Sequence, residues 1–141
     1  MKIFLDANVL VSVLNKEYPL FTYTSRILSL ADSNRYEVFT SPVCLAIAFY
    51  FAEKKFKAKI AKQKISTLSE HVRITTTDAA CVKQTLINTA VKDFEDGLQY
   101  YSAIHSNCNC IITEDVHDFY FSSIEVLKSE SFFLKYMSAK K

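Results

Sequence analysis

Glycine and proline are scarce in this chain, whose 141 residues include one glycine and two prolines. Their scarcity excludes collagen-like and linker-like classes of protein. A Walker loop or a G-x-G-x-x-G turn needs several glycines, and Gly97 is alone. The sequence therefore predicts no nucleotide cofactor, and any phosphate chemistry here must use side chains or a metal ion.

Long hydrophobic runs and paired cysteines are also missing. The longest apolar run, Val43 to Ala52, has about half the length that a bilayer span requires, and the first residues lack a credible signal-peptide pattern. None of the four cysteines forms a C-x-x-C pair, which is typical of free, buried thiols in a reducing compartment. We expect a soluble cytoplasmic protein with no membrane partner.

The overall composition is typical of an ordinary folded domain. Half of the residues are hydrophobic and 23% are charged, so the chain can bury enough surface to offset its ordering entropy. The length predicts a single domain over residues 1–141. A net charge of +2 is too small to indicate a nucleic-acid partner by itself.

Short apolar runs alternate with helical patterns along the chain. Strands are predicted at 2–5, 36–40, 72–75, 110–113 and 124–127, and helices at 7–15, 20–32, 43–55, 56–70, 79–88, 94–106 and 129–137. Strands separated by helices pair in parallel through right-handed crossovers, which predicts an α/β fold, a three-layer α/β/α sandwich. In such sheets the ligand crevice lies beyond the carboxyl ends of the strands.

Two predicted strands end in acidic residues: Asp6 follows the first, and Glu114 and Asp115 follow the fourth. If these strands are neighbours, Asp6 and Asp115 face each other across the crevice. Asp93 and Asp96 lie three residues apart on the predicted helix before the fourth strand, so their side chains share a helix face that can point into the crevice. Each acid could instead have a local role, as a helix cap or a turn former.

Taken together, these acids favour a metal site. Carboxylates within about 4–6 Å repel one another, which raises their pKa values unless a cation neutralises them. Mg²⁺ or Mn²⁺ would do so through one or two carboxylates while keeping several waters. Such an ion polarises a phosphodiester and activates water, so the pattern predicts metal-assisted hydrolysis.

Four motifs, spread in order over nearly the whole chain, resemble the PIN domain family: LDANV (5–9), TSPV (40–43), DFEDGLQ (93–99) and IITED with the following DF (111–119). The resemblance implies a central parallel sheet of about five strands flanked by helices. It implies a ribonuclease that depends on Mg²⁺ or Mn²⁺ and hydrolyses RNA. Many small bacterial members are VapC-like toxins held by an antitoxin protein, so an antitoxin partner and a homodimer are expected from the resemblance.

The same resemblance implies roles for individual residues. Asp6 corresponds to the first metal ligand, with Asn8 supporting it, and Thr113 belongs to the supporting residues. Asp96 matches the acid of the later helix, and Asp115 matches the acid after the fourth strand. The implied catalytic residues are Asp6, Asp96 and Asp115, and the implied metal-binding set is Asp6, Asp93, Asp96 and Asp115.

One position departs from the family pattern. The family usually places a glutamate on the helix that follows the Ser41-Pro42 start, and this chain has Ile47 there. Glu53, six residues further on, is rotated by roughly 240° around a helix and does not replace it. The loss of one ligand favours an alternative function, a PIN-like module that binds RNA or a protein without cleaving.

Six lysines occur within residues 54–64. Lys55, Lys59 and Lys62 follow an i, i+4, i+7 spacing, which predicts one stripe on a helix. The stripe is typical of a solvated helix face, and it would also suit the phosphate backbone of RNA.

Three further chemistries can be compared with the residues. His105, Cys108, Cys110 and His117 could hold zinc, although C-x-C is an uncommon spacing for a structural zinc site. A haloacid dehalogenase-type phosphotransferase needs a second aspartate two residues after Asp6, and this chain has Asn8 there. A receiver-type phosphoacceptor domain would need an acidic pair at the first strand and a lysine after the last, and neither is clear.

Overall fold

The structure, a computed structural model that describes residues 1–138, is built on a five-stranded parallel sheet. Its strands are β1 (Lys2–Leu5), β2 (Glu37–Thr40), β3 (Arg73–Ile74), β4 (Cys110–Ile112) and β5 (Glu125–Leu127). They lie in the order β3-β2-β1-β4-β5. The predicted α/β fold with a central parallel sheet of five strands is confirmed.

Seven α-helices flank this sheet within residues 1–138. They are α1 (Ala7–Asn15), α2 (Phe21–Leu28), α3 (Pro42–Lys55), α4 (Ala58–His71), α5 (Ala79–Ile87), α6 (Phe94–His105) and α7 (Ser129–Phe132). Short 3-10 turns span Ser29–Asp32 and Val116–Phe119, and a π-helical turn spans Phe133–Met137. No helix in this part of the chain has the length and apolar character that crossing a membrane would require.

Side-chain caps explain where several of these helices begin. The Ser41 hydroxyl accepts from the Cys44 amide at 3.0 Å, and Pro42 occupies the first helical position, where its missing N–H costs nothing. The carboxylates of Asp78 and Asp93 cap α5 and α6 by accepting from amides two or three residues further on. The Asp6 carboxylate accepts from the amide of the next residue, Ala7, at the start of α1. The predicted local capping roles of Asp6 and Asp93 are therefore present.

The lysine-rich segment is broken between α3 and α4, so the predicted helix over 56–70 begins two residues late. Phe56 and Lys57 have extended backbones, and the Phe56 amide closes α3 by donating to the Ala52 carbonyl. The prediction of one helical stripe was wrong, because Lys55 belongs to α3 whereas Lys59 and Lys62 belong to α4.

The two central strands, β1 and β4, are buried on both faces. Ile3, Phe4 and Leu5 have no exposed surface, and neither do Ile111 and Ile112. Burial on both faces explains why both strands read as continuous apolar runs. Leu5 pairs with Ile112 in register, so the residues that follow the two strands emerge side by side.

Candidate active site

An acidic cavity of about 430 Å³ opens beyond the carboxyl ends of β1 and β4. The chain runs from β1 outward to β2 and β3 and then returns to the other side of β1 as β4, which makes this the topological switch point. Eight of the 15 carboxylates in the chain line the cavity: Asp6, Glu17, Asp93, Glu95, Asp96, Glu114, Asp115 and Asp118. A cleft lined by one sign of charge focuses its field and attracts cations.

Asp6 is held at the floor of this cavity by three donors. Its Oδ2 accepts from the Thr113 hydroxyl at 2.8 Å, and its Oδ1 accepts from the Ala7 amide at 2.8 Å. The Cys44 thiol lies 3.7 Å from Oδ1. Burial raises the pKa of the Asp6 carboxyl above its usual range, and the hydrogen bonds from Thr113 and Ala7 oppose that rise.

The hydroxyl of Thr113 connects three other groups of the site. It is fully buried, and it accepts from the Asp115 amide at 3.0 Å and from Asn8 Nδ2 at 3.1 Å. Because it accepts from two donors, its one hydrogen is free to point at Asp6. Thr113 therefore keeps Asp6 in the role of acceptor.

Asn8 bridges the loop after β4 to the start of α1. Its Nδ2 donates to Asp115 Oδ2 at 3.1 Å, and its Oδ1 accepts from the Glu114 amide at 3.2 Å. The Asp115 carboxylate caps no helix, so its partner in the cavity wall is Asn8. The structure thus brings Asn8 and Thr113 into contact with Asp115 and Asp6, and their supporting roles stay a prediction.

The first turn of α6 supplies the other predicted acids. Asp93 Oδ1 accepts from the amides of Glu95 at 2.9 Å and Asp96 at 3.4 Å, so one of its oxygens is committed to the cap. Asp96 is half-buried on the same wall. Burial, followed by repulsion from Asp93 and Asp118, raises the pKa of Asp96 to about 7.

The donor set fits a hard divalent cation. Every charged group in the lining is a carboxylate, and Mg²⁺ and Mn²⁺ prefer oxygen ligands. Within residues 1–138, the acids of the cavity form no trio with all ligand atoms inside 4.8 Å. A hydrated ion suits this spacing, because Mg²⁺ keeps several waters and takes one or two carboxylates directly.

Ile47 and Glu17 face the same cavity. Ile47 packs against the hydrophobic core and makes part of the wall apolar. Glu17 escaped sequence reasoning, as no motif contains it. It follows Lys16, whose positive φ of 51° ends α1. The change of chain direction at Lys16 brings Glu17 to the cavity.

The zinc alternative at His105, Cys108, Cys110 and His117 is not supported. Cys108 and Cys110 are buried beside and within β4. His105 instead places its Nδ1 3.5 Å from the sulfur of Cys81. Within residues 1–138, these four side chains do not come together as a group that could hold a metal ion.

The three lysines of the predicted stripe lie outside the lining of the acidic cavity. The Lys55 ammonium donates to the Asn15 carbonyl at the end of α1, which gives it a structural role. Lys59 and Lys62 are exposed on α4. These exposed side chains are free to meet a polyanion.

Comparison with known proteins places the chain in a defined group. The model of the PIN domain matches residues 2–117. Ribonuclease VapC1 of Aquifex aeolicus (strain VF5) is 28% identical over 135 residues, which covers 93% of this chain and 92% of that protein.

Solved structures agree with the fold. VapBC-1 from nontypeable Haemophilus influenzae matches with a TM-score of 0.70 at 17% identity, over 92% of this chain and 99% of that one. VapBC2 from Rickettsia felis, solved with a DNA fragment from its promoter, matches with a TM-score of 0.66 at 21% identity, over 91% and 98%.

Proposed function

Because this chain belongs to the PIN domain family, we propose that it is a ribonuclease of the VapC type that hydrolyses RNA phosphodiesters with Mg²⁺ or Mn²⁺. The observation that carries the proposal is the link between Asp6 and Asp115 through Thr113 and Asn8. This link joins acids from two neighbouring strands at the floor of a cavity whose charged lining is acidic.

Each residue has a distinct task in this proposal. Asp6 and Asp115 would hold the divalent ion, and Asp93 and Asp96 would supply further carboxylates. A bound ion of this kind polarises the phosphodiester and lowers the pKa of water at the site. Thr113 donates to Asp6 and thereby favours its ionised form. Asn8 orients the Asp115 carboxylate, and Asp6, Asp96 and Asp115 are the catalytic residues.

Carboxylate crowding supplies the energetic reason for a cation. The pKa of Asp96 is raised by burial and then by its acidic neighbours, which means that the metal-free site disfavours its own full ionisation. A divalent ion relieves this repulsion. Metal binding is therefore expected to release protons near neutral pH.

RNA cleavage with Mn²⁺ tests the proposal directly. The native chain should cleave, whereas Asp6→Asn and Asp115→Asn should each lose activity by about 100-fold or more, since even residues that support metal ligands are worth about 10–100-fold. Glu70→Gln, at an exposed position on α4, is the matched control and should cleave normally. Equal cleavage by the native chain and both aspartate variants would refute the proposal.

A second function, binding without cleavage, is favoured by Ile47. Its side chain makes the cavity wall apolar at the position where the family usually has glutamate. Such a module would bind RNA or a protein partner through the same face. It predicts RNA binding by the native chain with no cleavage at any Mn²⁺ concentration.

The proposal also includes partners. Structures similar to this chain include VapBC proteins, which fits an antitoxin partner, a toxin role and a cytoplasmic site of action. A homodimer is proposed from the family alone. Co-expression with the product of a neighbouring small reading frame should give a complex whose RNA cleavage is suppressed. Undiminished cleavage by that complex would argue against the toxin role.

A further inference from the structure

A second cluster of metal-binding side chains lies away from the acidic cavity. Asp78 caps the start of α5, Cys81 lies in its first turn, and His105 is the last residue of α6. One ligand atom from each of the three lies within 4.8 Å of the other two. The cluster brings a sulfur, a nitrogen and an oxygen donor together from two neighbouring helices.

We propose that Asp78, Cys81 and His105 form a zinc site. The Cys81 sulfur lies 3.5 Å from His105 Nδ1. Zinc–sulfur and zinc–nitrogen bonds that meet at a tetrahedral angle place the two ligand atoms about 3.6 Å apart. The two atoms are therefore already separated as a shared zinc ion requires.

The third donor is also prepared. Asp78 Oδ1 accepts from the Cys81 amide at 3.1 Å, which anchors the carboxylate and leaves its other oxygen available. Thiolate, imidazole and carboxylate together suit Zn²⁺, whereas Mg²⁺ prefers oxygen alone. Water completes the fourth position. When zinc binds, the Cys81 thiol gives its proton to solvent and forms a zinc–sulfur bond.

Surroundings of the cluster favour a metal that enters from solvent. Cys81 is buried, whereas Asp78 and His105 are exposed, so the site has a sheltered sulfur and an open side. In the metal-free chain the thiol lies 3.5 Å from His105 Nδ1 and 3.7 Å from the Thr76 carbonyl oxygen, which are weak contacts for sulfur. Zinc would replace these contacts with bonds.

The proposed zinc site is separate from the acidic cavity, but α6 contributes a residue to each. It supplies His105 to the zinc site and Asp96 to the cavity. Nine residues separate Asp96 from His105 on that helix, a rise of about 14 Å. Next to Asp96, a Cβ on Gly97 would lie 2.3 Å from the Thr85 methyl group, so α5 and α6 already pack very closely at that end. Zinc would thus fasten the far end of the helix that carries Asp96.

Cobalt substitution tests this site by its spectrum. Co²⁺ bound through Cys81 should give a thiolate-to-cobalt charge-transfer band and the intense d–d bands of tetrahedral coordination, and Zn²⁺ should abolish both. Cys81→Ser should eliminate the charge-transfer band, and His105→Gln should weaken Co²⁺ binding by at least about tenfold. His105 is exposed, so this second variant should fold even if Cys81→Ser does not.

Two matched controls locate the ion. Cys108→Ser leaves the cluster intact and should keep the band, as should Asp6→Asn, which alters only the acidic cavity. A band that survives Cys81→Ser, or unchanged Co²⁺ affinity in His105→Gln, would overturn the proposal, and so would the absence of a band in the native chain. None of these readouts depends on RNA cleavage.

Discussion

The hydroxyl of Thr113 lies 2.8 Å from Asp6 Oδ2 although 107 positions separate the two residues in the sequence. The contact exists because β1 and β4 are parallel neighbours that end together. Thr113 is also the acceptor for the Asp115 amide and for Asn8. One buried hydroxyl therefore orients both acids that are proposed to hold the metal ion.

Replacing Thr113 with valine should damage the site more than replacing it with serine. Valine leaves the Asp115 amide without its partner in a partly buried hydrogen bond, at a cost of about 1 kcal/mol, and removes the donor that lowers the pKa of Asp6. We expect Mn²⁺ affinity to fall by about 10–100-fold in Thr113→Val. Calorimetric titration measures this, and Thr113→Ser is the control that keeps the hydroxyl. Equal affinities for the two variants would contradict the proposed role.

Stability in the absence of metal should depend on pH through Asp96. Its pKa is about 7 in the folded chain against an ordinary 3.8, so between these values the folded state holds a proton that the unfolded chain has lost. The free energy of unfolding therefore falls as pH rises through this interval and levels off above it.

Asp96→Asn removes this pH-dependent loss. The variant should be more stable than the native chain by about 1 kcal/mol above neutral pH, since solvent screens part of the effect, and nearly equal to it at acidic pH. Denaturant unfolding in a chelator at several pH values checks this. A constant stability difference across the pH range would exclude Asp96 as the cause.

Introducing a carboxylate at position 47 should strengthen cation binding. Ile47 faces the acidic cavity, so Ile47→Glu supplies an additional oxygen donor there. We expect Mn²⁺ to bind about tenfold more tightly, a gain of about 1.4 kcal/mol, with RNA cleavage rising as well. Ile47→Gln is the neutral control of similar size. If both variants bind Mn²⁺ as the native chain does, the isoleucine does not limit the site.

The lysines should separate into two groups when RNA binding is measured. Lys59→Gln and Lys62→Gln should weaken binding of any RNA. The logarithm of the binding constant falls linearly with the logarithm of the salt concentration. For a single strand, each variant should reduce this slope by about 0.7 for every phosphate that the lysine neutralises in the native complex. Lys55→Gln should chiefly reduce stability, because its ammonium donates to Asn15 at the end of α1. Unchanged salt slopes in the α4 variants would show that RNA binds elsewhere.

Sequence reasoning located the acids because their positions follow from a general rule of parallel sheets. Asp6 and Asp115 come directly after apolar runs, and the carboxyl ends of neighbouring strands meet at one edge. The rule says nothing about loops, so Glu17 could not be found, as its position depends on the turn at Lys16.

The sequence pattern does not predict features that depend on how helices pack against one another. No glycine or proline marks the break at Phe56 and Lys57, so the spacing of the lysines predicts one helical stripe that the structure does not have. The sequence pattern groups His105 with the cysteines nearest to it in sequence, Cys108 and Cys110. Its actual neighbour, Cys81, is 24 positions away and is brought close by the packing of α5 on α6.

The strand order has a consequence for how the protein is made. Since β4 lies beside β1 in the sheet but follows β2 and β3 in the chain, a nascent polypeptide that ends before residue 110 carries Asp6 without Asp115. The acidic cavity can be completed only after β4 and the residues that follow it have been synthesised. Under the proposed function, a fragment truncated before β4 would therefore be unable to cleave RNA.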